Sequence, residues 1–117
     1  MNPASSSYSP PSARQQYVRQ VIEDYCRTPQ TLGRARPEDR RLAAQLFDRG
    51  ISAVTVQSAF LLAAARRSLS DPAAVPLQPI RSMHYFLPVI EEIIHHPFPP
   101  DYLQYLKEKL KSVPRQS

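Results

Sequence analysis

Proline occupies 13 of the chain's 117 positions and glycine only two. Each proline removes a backbone donor and crowds the turn before it, which suits short helices separated by stiff turns. No stretch alternates apolar and polar residues with the two-residue period of a strand hairpin. The chain is therefore read as all-α: an orthogonal bundle of about five short helices joined by stiff turns.

Local signals give the boundaries. Ser12 is a suitable N-cap for a first helix through ARQQYVRQVIEDYCRT, which puts Val18, Val21, Ile22, Tyr25 and Cys26 on one face and stops at Pro29. Pro37 suits the first position of a second helix, Glu38 and Asp39 complement its N-terminal dipole, and Gly50 suits the left-handed position after its end. Its inward face is Leu42, Ala43, Leu46 and Phe47. Ser52 caps a third helix running to about Leu69 that is apolar almost all round between Val54 and Ala65, the mark of a central, buried helix. Val54, Phe60, Leu61 and Leu62 are all expected inside.

The stretch SDPAAVPLQP predicts an extended, stiff connection. In the fourth helix, Pro88 requires either a kink or a start at Leu87. Pro97, Pro99 and Pro100 end that helix. Asp101 opens a last one with Tyr102, Leu103, Leu106, Leu110 and Val113 inward. Residues 1–12 are expected to be a disordered leader, 13–113 a single domain and 114–117 a flexible tail. The leader has neither the basic nor the apolar region of a secretory signal. No apolar run approaches the ~20 residues of a membrane span. The single cysteine, Cys26, forms no internal disulfide or CxxC pair and is read as a small core residue. A reducing cytoplasm is the compartment that fits it.

The same inventory leaves little for catalysis. His95 and His96 are adjacent, as are Glu91 and Glu92, and neighbouring positions on a helix point about 100° apart rather than converging on one ion. His84 stands alone. Two glycines cannot make a phosphate-cradling loop, and no serine sits in a nucleophile elbow. Glu91 and Glu92 are read as a solvated face. Neither enzymatic activity, metal nor cofactor is expected.

Charge gives the positive signal. Fifteen Lys and Arg against ten Asp and Glu leave +5, and most of the cations are arginine, which suits bidentate phosphate contacts. Arg34, Arg36, Arg40 and Arg41 fall within eight residues at and before a helix N-terminus, where backbone N–H groups already favour anions. Two readings stand side by side. The arginines contact phosphate, or they pair with Glu38, Asp39 and Asp48 on a solvated face. Arg66 and Arg67 end the third helix, where its dipole favours cations in any case.

The order Gly50, Ile51, Val56, Ala59 resembles the turn and buried positions of a helix-turn-helix, with Gln45, Leu46 and Arg49 departing from its usual first helix. That resemblance implies a reading face at Ala53, Thr55, Gln57, Ser58 and Arg66. A second, broader resemblance joins Arg49, Gly50, Ile51, Val56 and Ala59 with Arg81, Ser82, Tyr85, Phe86, Pro88, Glu91 and Glu92. Together these are similar to helical modules of bacterial replication or mobile-element DNA-binding proteins, which implies a setting near DNA. The combined expectation is a non-enzymatic module that binds DNA or RNA through Arg34, Arg36, Arg40, Arg41, Thr55, Gln57, Ser58, Arg66, Arg67 and Arg81. The competing expectation is a protein-interaction adaptor with an apolar groove beside the Pro72 to Pro79 connection, near Val75 and Leu77, or beside the last helix.

Overall fold

The computed structural model describes residues 11–68 and 78–112. Most of the expected leader, Val75 and Leu77 of the proline connection, Val113 and the expected tail lie outside the described residues. Within them the chain forms helices α1 (Ala13–Arg27), α2 (Pro37–Asp48) and α3 (Ala53–Ser68), a 3-10 turn (Met83–Phe86), and helices α4 (Leu87–His95) and α5 (Pro100–Ser112).

The helix starts follow from short-range chemistry. Ser12 accepts from the Gln15 N–H at 3.1 Å while the Gln15 side chain accepts from the Ser12 N–H at 2.8 Å, a reciprocal cap on α1. Pro37 opens α2, and Gly50, at φ +77°, takes the left-handed conformation that ends it. Ser52 accepts from the Thr55 N–H at 3.1 Å and caps α3. The chain does not kink at Pro88: a separate 3-10 turn ends at Phe86, and α4 starts at Leu87 with Pro88 in its first turn.

Helix α3 is the spine and packs against α1, α4 and α5. Val56, Ala59, Phe60, Leu62 and Ala63 are buried along it. Phe60 meets Tyr25 of α1 with ring centroids 6.1 Å apart and Phe86 of the 3-10 turn at 4.8 Å, so one aromatic cluster joins three elements. Phe47 is only half-buried, edge-on to Tyr17 at 5.2 Å. Val18, Cys26 and Leu61 are likewise half-buried.

Two inward assignments fail. Val54 is 62% exposed, on the side of the first turn of α3 away from the fully buried Val56. Tyr102 is 40% exposed and stacks on Tyr105 at 5.8 Å; Leu106 is the deeply buried residue of α5, with Leu103 and Leu110 flanking it half-buried. A wide apolar stripe is enough for a helix to dock without every member going under.

Candidate functional site

The site is built where two connecting segments run side by side. The segment after α1 and the segment before the 3-10 turn form a single parallel bridge between Thr31 and Ile80. The Ile80 N–H donates to the Gln30 carbonyl at 2.7 Å, and the Leu32 N–H donates to the Ile80 carbonyl at 3.2 Å. Gln30 stands at φ +71°, an uncommon conformation for a residue with a side chain. Its amide is held at both ends: Nε2 donates to Ser68 Oγ at 2.7 Å, and Oε1 accepts from Arg67 Nε at 2.8 Å.

Asp39 locks the same junction. It is 1% exposed, and its carboxylate accepts from the Arg36 N–H and from the Met83 N–H, each at 2.9 Å. One side chain thus caps the first turn of α2 and fixes the start of the 3-10 turn. Local pattern had suggested only a dipole partner or a surface ion pair for it. A buried carboxylate is stable when donors surround it, and here both are backbone donors.

This arrangement bears on the pairing of the cluster with Glu38, Asp39 and Asp48, and Glu38 makes no ion pair among the described residues. Asp39 faces inward on backbone amides, and Asp48 is gripped by Arg14 at 2.9 and 3.0 Å, so neither carboxylate pairs with the cluster. Among the described residues Arg34, Arg36, Arg40 and Arg41 are all exposed and make no ion pair. Arg36 and Arg40 lie toward the C-terminal end of α1. Burial pushes the Cys26 thiol up, opposed by Arg40; burial pushes the Tyr25 phenol up to about 12, with Asp39 reinforcing and Arg36 opposing.

The remaining sequence-predicted residues fall differently. Ser58 is buried and its hydroxyl donates to its own helix at the Val54 carbonyl, 2.7 Å away, so it has no access to a ligand. Gln57 is half-buried and donates to Asp24 at 3.1 Å. Thr55 is engaged in the α3 cap through Ser52, 3.0 Å from its hydroxyl. Of the reading face expected of a helix-turn-helix, Ser58 is thus buried, Ala53, Thr55 and Gln57 are half-buried and Arg66 is exposed, on a helix that packs against α1, α4 and α5.

Arg66 pairs with Glu92 through two hydrogen bonds, one of 2.9 Å, and the contact draws the Glu92 carboxyl below its ordinary range. Arg49 reaches Glu91 at 2.7 Å. Glu91 and Glu92, read as a merely solvated face, are thus both tied across helices. Arg49 and Glu91 come from the two separate blocks of the broader resemblance, so the structure brings those blocks into contact.

Arg67 is half-buried, and Arg81 is exposed without an ion pair among the described residues. His84, His95 and His96 are exposed, and no group of three metal-ligating side chains comes together among the described residues. No helix there is long and apolar enough to cross a membrane. Comparison of the chain with protein families, with curated proteins and with solved structures gives no match.

Proposed function

We propose that the protein is a non-enzymatic module that binds nucleic-acid phosphates through Arg34, Arg36, Arg40 and Arg41. The observation that carries this reading is the contrast among its arginines. Arg14, Arg49 and Arg66 each hold a carboxylate, whereas the cluster before and within the first turns of α2 is exposed and unneutralised. Its position adds the positive dipole end of a 12-residue helix. Planar guanidinium forks suit phosphate oxygens, and four such contacts give log K a slope of about −4 against log salt on duplex DNA.

The test is titration of labelled duplex at two salt concentrations with the parent, with Arg40→Glu/Arg41→Glu, and with Arg66→Gln. The expected result is an affinity loss of about tenfold or more and a shallower salt slope for the first variant. Arg66→Gln should stay close to the parent. Equal binding by the Arg40/Arg41 variant, or parent binding no tighter than that of an unrelated protein of the same net charge, rejects the reading.

A protein-interaction adaptor is the second reading. It is favoured by one observation, the exposed aromatic strip of Tyr102 and Tyr105 on α5 with Phe98 edge-on to Tyr102 at 5.1 Å. In that case the Arg40/Arg41 variant keeps its partner, and Tyr105→Asp loses it.

A further inference from the structure

The Thr31–Ile80 bridge does more than join two connections. It sets Arg81, the residue after Ile80, alongside the arginine cluster. Arg34 lies two residues beyond Leu32, so chain length alone keeps the Arg34 and Arg81 backbones within about 18 Å of each other. Arg40 adjoins Asp39, whose carboxylate touches the Met83 N–H two residues beyond Arg81. The backbones that carry the cations of two distant sequence segments are therefore tied to one junction.

Beside Arg81 opens a cleft of about 520 Å³. Pro79 and Ile80 line it together with Arg67 and the ring of Tyr85, and no carboxylate lines it among the described residues. Tyr85 is 46% exposed although its neighbour Phe86 is fully buried. Its ring is held in place: Phe86 meets it edge-on at 5.4 Å, the Arg67 guanidinium lies 5.4 Å from its centroid, and Arg67 Nη1 donates to its hydroxyl at 3.2 Å. Arg67 is itself oriented by Gln30 and by the Gln78 carbonyl. It lines the cleft together with Arg81 and positions the ring, while Arg81 presents its charge beside it.

We infer that this cleft takes one base of a single-stranded nucleic acid, stacked on Tyr85 with its phosphate on Arg81, and that the adjoining phosphates continue onto Arg34, Arg36 and Arg40. The inference rests on the phosphate reading of the cluster and names its substrate class. A held, half-exposed aromatic ring over an apolar floor, next to two cations and no carboxylate among the described lining residues, matches a planar aromatic group that carries a negative charge. Bases in a duplex are stacked on one another and cannot enter. An acidic peptide brings its charge on short aliphatic stems and has no flat face for the ring. Ser82 Oγ is already engaged by the His84 N–H at 3.1 Å, so the sugar 2′-hydroxyl finds no reader there, and DNA and RNA strands bind alike.

The experiment uses the full chain with labelled oligothymidylate, oligouridylate and a duplex. Tyr85→Ala should weaken both single strands by about five- to 150-fold, the range of one lost stacking contact, and leave duplex binding unchanged. Tyr85→Phe should retain single-strand binding. The chain has no tryptophan, so Tyr85→Trp supplies a single reporter whose emission should be quenched by the single strands and not by the duplex. It reads the cleft even if Tyr85→Ala fails to fold. Unchanged single-strand affinity in a folded Tyr85→Ala, a parallel loss of duplex binding, absence of quenching in Tyr85→Trp, or equal displacement by polyglutamate would each overturn the inference. Loss of binding in Arg40→Glu/Arg41→Glu alongside any of those outcomes keeps the phosphate reading and removes only the base site. Unchanged binding in the arginine variant removes both.

Discussion

The junction around Asp39 and the seam along α4 use the same kinds of side chain to opposite ends. Along the seam, Arg49 with Glu91 and Arg66 with Glu92 neutralise one another at the surface. At the junction the carboxylate turns inward to backbone N–H groups, and the neighbouring arginines keep their charge. The difference teaches that net charge along a stretch of sequence does not give the charge its surface shows. Residues 34–41 hold four arginines and two acids, yet one of those acids is buried and contributes its charge to the interior.

The largest effect is expected where both regions share a foundation. Phe60 touches Tyr25 on the junction side and Phe86 above α4. Phe60→Ala should cost about 3 to 5 kcal/mol in chemical denaturation, through lost burial and the cavity left behind. The loss should appear in a single cooperative transition. Two separate transitions would break the comparison, since the regions would then be independent units.

Asp39→Ala comes next, at about 2 to 4 kcal/mol, because it leaves the Arg36 and Met83 N–H groups in a buried place without an acceptor. Asp39→Asn keeps one acceptor oxygen and should lose less. A loss below about 1 kcal/mol in Asp39→Ala, measured by the same denaturation, would mean that the junction does not depend on this carboxylate.

Arg49→Ala should have the smallest effect, under about 1 kcal/mol, since both partners of its ion pair are exposed and the Coulomb gain is screened by water and salt. Melting at low and high salt sharpens the contrast: the small difference between parent and Arg49→Ala should shrink as salt rises. A cost equal to that of Asp39→Ala would erase the distinction between the two regions.

The parts legible in the sequence were those encoded within one turn of chain. Ser12, Pro37, Gly50 and Ser52 declare helix ends through their own backbone preferences and nearest amides, and they do so in the fold. The arginine cluster was legible for the same reason, since its members are close in sequence. What α3 presents was only half legible: its apolar girth marked it as central, yet the resemblance to a helix-turn-helix offered Ser58 as a reading residue when packing buries it. Val54 and Tyr102 show the converse error, because apolar character permits burial but does not supply a neighbour. Asp39 drew its role from a contact across 44 residues, and no local period carries that.

The Thr31–Ile80 bridge has a kinetic consequence. Its partners are separated by all of α2, all of α3 and the connection that follows, so closing it requires the chain to give up the freedom of a long loop before the bonds can form. The entropy of such closure grows only logarithmically with loop length, but it must be met before the pairing can contribute. Helices α1 and α2, adjacent in sequence and packed on each other, face no such delay. The Ile80 amide, bonded to the Gln30 carbonyl, is therefore the natural reporter of the last step: its exchange with deuterated solvent follows the opening of the whole junction rather than the fraying of any one helix.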